Sequence, residues 1–385
     1  SQATIMGVFE VEQSSFDDLA SFNHHLADGA RENISSDLYI VAGLSQFSQQ
    51  EFFEILTQRG YTIEDFGAIQ KISRTYTTSG DAPDDIILEE EEEEAEEEDN
   101  GSERVAEFYL YYDEESGVTL FYTDQRKTKE IKYTVAKLLD GERGLHYLYI
   151  GPGLFRDIRR EIIRNEEIAE ITKFVADRLE DSDYPCRIRP DVERTIQYYG
   201  DDGIEALEEM EENYGVRPRN ITFNVPNQAK FRITRKGVFS LGRGDLTTLF
   251  EYVELCIEKA LEIKEAYGES EFQMLATTET LSVPTSEPAS IELSGQLEYS
   301  EVEKVKSRMN EEGYLLVDSF QQEGSLYFSS KVMDTKKKNK FRIKASEDEI
   351  RVFPQETDDN LGSFLRFHEF VQSNIDPDAS VVVET

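Results

Sequence analysis

Lys230-Phe231-Arg232-Ile233-Thr234, a turn at Lys236-Gly237, and Val238-Phe239-Ser240-Leu241 read as a β-hairpin. Residues 246–261 follow it with Leu246, Leu249, Phe250, Val253 and Ile257 at three-and-four spacing, the stripe of an amphipathic helix. The pattern returns as Lys340-Phe341-Arg342-Ile343-Lys344, then Ile350-Arg351-Val352-Phe353, then a helix over 361–371. A looser copy runs Glu107-Phe108-Tyr109-Leu110-Tyr111, Val118-Thr119-Leu120-Phe121 and a helix over 127–139. In each copy an aromatic and an aliphatic stand two residues apart, as one buried strand face requires.

A second block precedes each hairpin. Leu38-Tyr39-Ile40-Val41-Ala42-Gly43 reads as a buried strand, and Ser48-Gln49-Gln50-Glu51 as a capping box opening a helix that ends at Gly60. Its counterpart is Ile291-Glu292-Leu293-Ser294-Gly295, a capping box at Ser300 to Glu303, and a helix stopping at Gly313. The middle copy has the run 145–150, then Gly151-Pro152-Gly153 and a helix through Ile162 and Ile163, with Arg156 where the others have serine. Before these, residues 4–11 read as a strand and Ser15 as the cap of a first helix.

These blocks predict an α+β protein of repeated β-α-β(n)-α units, antiparallel sheets each covered on one face by helices. The first unit occupies 1–140, with an acidic insertion at 81–104 that carries ten Glu and four Asp against one Arg. The second occupies 144–266 with an insertion at about 180–218, whose helix spans 203–214. Residues 267–288 read as a linker, 289–375 as the third unit and 376–385 as a tail.

Composition bounds the setting. The chain of 385 residues has 80 Asp and Glu against 41 Lys and Arg, a formal charge of −39, yet 38% of it is hydrophobic and 11% aromatic. That content supports folded cores, so the acidity reads as adaptation to a salt-rich archaeal cytoplasm rather than as disorder, with a DNA-mimicking or nucleic-acid-repelling protein as the alternative. Cys186 and Cys256 make no metal or redox spacing, and Cys256 falls on an apolar helix side. No apolar run approaches 18 residues, so no membrane span is expected, and a cytoplasmic location follows.

The order of elements in the last unit is similar to one half of the TATA-binding-protein fold. The strand at Ile291 to Gly295, the helix 302–309, the strands 315–320, 326–330, 340–344 and 350–353, and the helix 361–371 carry the resemblance. It implies a curved sheet with one side free for nucleic acid or protein. No phenylalanine pair falls at the positions with which that family kinks DNA, so minor-groove kinking is not implied.

Alternation places Lys230, Arg232 and Thr234 opposite the apolar face of their strand, and Lys340, Arg342 and Lys344 opposite theirs. Lys336, Lys337 and Lys338 precede the latter, and Tyr109 and Tyr111 occupy the matching places of the first unit. Cations with interleaved tyrosine suit phosphate contact and base stacking. Cross-strand pairing with carboxylates, or a protein partner, would use the same residues. Arg156, Arg160 and Arg164 share a helix face after the glycine turn, a candidate anion site that competes with a solvated charged face.

No nucleophile elbow, His-Glu-x-x-His or Cys-x-x-Cys occurs, and His368 lies on an apolar stripe. The leading expectation is a non-catalytic binding protein, nucleic-acid-associated or regulatory, with no cofactor. A protein-interaction scaffold and a metal-dependent nuclease are the alternatives.

Overall fold

The structure, a computed structural model, describes residues 15–32, 37–77, 103–124, 128–166, 168–178, 194–268, 272–278, 281–322, 324, 326–355 and 361–382. The expected strand at 4–11, nearly all of the acidic insertion, and Cys186 lie outside the described residues. The chain opens with α1 (Leu19–Glu32), β1 (Leu38–Ser45), α2 (Gln49–Gln58), β2 (Thr62–Phe66) and β3 (Ile69–Tyr76). Next come β4 (Arg104–Tyr112), β5 (Val118–Thr123), α3 over 128–141 with a π turn at Lys132–Ala136, and β6 (Leu145–Tyr147). The middle holds α4 (Pro152–Asn165), β7 (Glu170–Arg178), β8 (Arg194–Tyr199), α5 (Gly203–Tyr214), β9 (Val216–Val225), β10 (Ala229–Thr234), β11 (Val238–Gly244) and α6 (Leu246–Gly268). The last part has β12 (Phe272–Thr278), β13 (Leu281–Ser286), β14 (Ala289–Glu292), α7 (Val302–Glu311), β15 (Tyr314–Gln322) and β16 (Tyr327–Asp334). It closes with β17 (Asn339–Ala345), β18 (Glu349–Pro354), α8 (Leu361–Asn374) and β19 (Ser380–Val382).

The chain divides into two compact units, one of residues 1–43, 48–137 and 154–257, the other of 44–47, 138–153 and 258–385. The protein is α+β, and the strand pairings with a described register are antiparallel.

In the first unit the strands run β2-β3-β4-β5-β1-β11-β10-β9-β7-β8. Both sides of its β4–β5 region are covered. Phe52 of α2 stacks on Tyr112 at 4.6 Å on one face. On the other, Phe22 of α1 lies 5.6 Å from Tyr109 and 5.2 Å from Tyr122, and the Tyr122 hydroxyl donates to Asn23. The expectation of one covered face per sheet therefore fails here, because a helix N-terminal to the repeat supplies apolar surface that the repeat itself lacks. Helix α6 covers the Phe231 side of β10, with Tyr252 5.7 Å from that ring.

In the second unit the order is β15-β16-β17-β18-β14-β19. Its first five strands repeat the order β2-β3-β4-β5-β1. Helices α7 and α8 pack on one face, where Val302, Met309, Phe328, Ile343, Ile350 and Phe367 come together. Phe341 and Tyr314 complete that core against Phe367, at 5.3 and 6.0 Å.

An ion pair locks this core. Asp334, at the end of β16, accepts from Arg366 of α8 at 2.6 Å, with both side chains nearly inaccessible. Arg366 also donates to the Glu312 carbonyl and lies 4.2 Å from the centre of the Tyr314 ring. Ser363 donates to Asp334 at 3.2 Å, and the amides of Lys336 and Lys337 do so at 3.1 Å. The site is thus saturated with partners, the condition under which a buried pair holds.

Local readings fared unevenly. Ser48 and Glu51 form the reciprocal capping box, and Gly60 and Gly313 both stop their helices with left-handed φ of 85° and 86°. The cap of α7 lies earlier than Ser300: Glu298 and Glu301 form the box around a 3-10 turn. Asp18 and Ser21, not Ser15, bond reciprocally at the start of α1, because Phe16 is held extended by backbone bonds to Phe66 and Ala68. The expected linker 267–288 contains the end of α6 and an antiparallel hairpin, β12 with β13. Polar composition and proline suggest a loop there, but Met274 pairs with Pro284 and Ala276 with Ser282 in antiparallel register.

Two outcomes follow from this core. Asp334→Ala leaves the Arg366 charge buried without its carboxylate and is expected to lower stability by about 3–5 kcal/mol in urea unfolding. His146 and His368 are buried, and burial pushes each imidazole down to about 4. Between pH 6.5 and about 4 the unfolded chain binds protons there that the folded chain refuses, so stability falls as pH drops. The slope is at most about 1.4 kcal/mol per pH unit per group, and His368→Leu should remove one group's share of it in urea melts across that window.

Candidate functional site

The second unit's sheet turns its other face outward, and that face is unusual for so acidic a chain. Cross-strand register sets three rows on it. Leu315 lies beside Met333 and Lys340; Val317 beside Lys331, Arg342 and Phe353; Phe320 beside Ser329, Lys344 and Arg351. Leu315, Val317, Phe320 and Met333 are 49%, 42%, 56% and 39% exposed, so the edge of the face is an open apolar strip. Soluble proteins expose single apolar side chains routinely, and a run of them along one sheet edge is a candidate contact surface.

Phe320 reaches this face because of a bulge. An extra residue in β15 sets Phe320, rather than Ser319, opposite Ser329, and Asp318 at the bulge takes a left-handed φ of 52°. A regular strand would alternate Phe320 onto the opposite face. The ring then meets Tyr327 edge-on at 6.1 Å.

The cations stand inward of this strip. Lys331 pairs with Asp318 at 2.9 Å, holding that carboxyl below its ordinary value, and Arg351 pairs with Glu349 at 2.9 Å. Such exposed pairs are weak and exchange readily with another anion. Arg342 donates to the Ser329 hydroxyl at 3.3 Å, and the Lys344 ammonium lies 4.7 Å from the centre of the Phe353 ring. Among the described residues neither Arg342 nor Lys344 has a carboxylate within 4 Å.

The sequence-derived candidates are divided by the structure. Lys340, Arg342 and Lys344 share the open face, while Lys336 and Lys338 are exposed at the β16–β17 turn. Lys337 is fully buried: its ammonium donates to the carbonyls of Leu139, Glu142 and Leu145 at 2.7, 3.2 and 2.7 Å. Burial lowers its pKa to about 8. It fastens a backbone turn and meets no external ligand. Tyr109 is also buried, beneath α1, and Tyr111 is half-buried.

In the first unit, Lys230 is exposed on β10 and Arg232 half-buried between Thr222 and Ser240. On α4, Arg156 is half-buried, Arg160 lies 3.8 Å from Asp157, and Arg164 pairs with Glu161. Each of the latter two has an acid one turn earlier, the arrangement of a solvated helix face. Arg159, between Arg156 and Arg160, is buried against Glu211 at 2.7 Å and joins α4 to α5.

Sequence reasoning missed Leu315, Val317, Phe320, Met333, Lys331, Arg351 and Phe353. The bulge shifts the phase of β15, so no period-two pattern in Tyr-Leu-Leu-Val-Asp-Ser-Phe could assign its outward side. Among the described residues no group of three His, Cys, Asp or Glu side chains could hold a metal ion. No described helix is long and apolar enough to cross a membrane.

A family model described as a family middle domain matches residues 155–236, from α4 to the turn after β10. The chain is also similar to an uncharacterized protein of Archaeoglobus fulgidus, 27% identical over 284 residues that cover 70% of this chain and 76% of the relative.

Proposed function

We propose that this is a non-catalytic, nucleic-acid-associated binding protein whose contact surface is the open face of the β14–β19 sheet. The observation that supports it is the union, on one face, of an exposed apolar strip with five cations, in a chain of net charge −39. Cations meet phosphates while apolar side chains meet bases or sugars, the two contacts that nucleic-acid binding combines. The common strand order of the two sheets belongs to the same proposal: both derive from a unit like half of the TATA-binding-protein fold, and the second keeps open the face that α1 covers over β4–β5 in the first.

One observation favours a second reading, a protein-interaction scaffold. Tyr109 faces Tyr122 in the β4–β5 ladder at the places that Arg342 and Phe353 hold in β17–β18. There α1 docks through Phe22. A partner's helix could use the bare equivalent.

Binding of labelled single- and double-stranded DNA and RNA in molar KCl tests the first reading. Wild type should bind, and Lys340→Glu/Arg342→Glu should weaken binding at least tenfold. Equal binding by both proteins removes this face from the proposal, and the scaffold reading takes its place if neither binds. Added Mg²⁺ or Mn²⁺ should leave the labelled strands intact. The acidic surface belongs to a salt-rich cytoplasm, where screening acts over about 3 Å at 1 M salt. Thermal unfolding should accordingly shift upward as KCl rises from 0.1 to 2 M.

A further inference from the structure

We infer that the nucleic acid this face takes is single-stranded, laid along β17 with its phosphates toward Arg342 and Lys344 and its bases against Leu315, Val317 and Phe320. The inference rests on the nucleic-acid reading of the same face and names the form of the ligand.

Three features of the geometry point there. The apolar strip is offset from the cation column by two strand spacings, about 9.6 Å. A nucleotide spans such a gap from its phosphate to the far edge of its base. Successive cations on β17 recur every second residue, about 6.7 Å apart, so one backbone running along the strand meets them in turn.

A paired duplex, by contrast, hides its base faces inside the stack and offers the apolar strip nothing of like character. The width of the face adds to this. From β15 to β18 it spans about 14 Å, wider than the roughly 12 Å major groove and the roughly 6 Å minor groove of undeformed B-DNA. Double-stranded RNA presents a wide, shallow minor groove, but one lined by hydroxyls and base edges. Phe320, 56% exposed and braced edge-on by Tyr327, is the ring best placed to stack on a base.

Fluorescence anisotropy of the full chain decides the matter, using labelled 15-nucleotide DNA and RNA of mixed sequence, single-stranded and annealed, from 0.3 to 2 M KCl. Single strands should bind at least tenfold tighter than either duplex. Phe320→Ala should weaken single-strand binding about tenfold while leaving the thermal midpoint unchanged, since the ring is mostly exposed. Arg342→Gln and Lys344→Gln should each flatten the log–log salt slope by about 0.7. Duplex binding equal to or tighter than single-strand binding overturns the inference and leaves the nucleic-acid reading standing. So does full affinity of Phe320→Ala when the two cation variants are weakened, since contact would then be through phosphate alone. No binding of any strand at any salt brings down both.

Discussion

The carboxylate of Asp334 does two jobs at the end of β16. It takes the Arg366 guanidinium, and it takes the amides of Lys336 and Lys337, fixing the turn into β17. The first contact holds α8 against the apolar side of the sheet. The second aims Lys337 inward, to the carbonyls of Leu139, Glu142 and Leu145, and leaves Lys336 and Lys338 at the surface. A sheet has two faces, and committing the helices to one determines what the other must present. The surface bearing Arg342 and Lys344 is in that sense a consequence of a charge pair buried on the far side.

The two like-ordered sheets show the choice made in both ways. In the β4–β5 region tyrosines stand where β17 and β18 carry Arg342 and Phe353, and helix α1 closes over them through Phe22. Burying Phe22 and Tyr122 removes large apolar areas from water, each contributing up to a few kcal/mol. An arginine in place of Tyr109 would resist such burial, because its charge would need a partner beneath the helix. Equal strand order thus goes with a face closed over β4–β5 in one sheet and an open one in the other, and the residues at two ladder positions differ accordingly.

How much of this could be read in the chain depends on the range of the interactions. Signals confined to a few residues were legible: the Ser48–Glu51 box, the glycine stops at 60 and 313, the helix 203–214, and the outward side of β17. The failures all involve a distant partner. Lys337 reads as one of three consecutive surface lysines until the carbonyls around residues 139–145 are brought to it. Tyr109 reads as a stacking residue until α1 covers it. The hairpin at 272–286 reads as linker because its serines, threonines and proline resemble loop, and only the facing strand shows their register. The bulge at Asp318 is the most consequential case, since one additional residue moves Phe320 from the hidden side of the sheet to the exposed one.

The coexistence of the apolar strip with the cation column has its own physical logic. In a salt-rich medium, counterions compete with phosphate contacts, and affinity from released counterions declines steeply with ionic strength. Apolar contact behaves oppositely, since salts excluded from protein surfaces strengthen effective burial. A face built from Lys and Arg alone would therefore bind weakly in such a medium, and one built from Leu, Val and Phe alone would bind without regard to charge. On the proposed reading of this face, the cations would orient the ligand and Leu315, Val317 and Phe320 would supply the attraction that salt does not remove. That reading would account for why a chain of net charge −39 leaves four large apolar side chains open on β15 and β16, where charge could have shielded the edge as Glu64 and Asp65 do on β2.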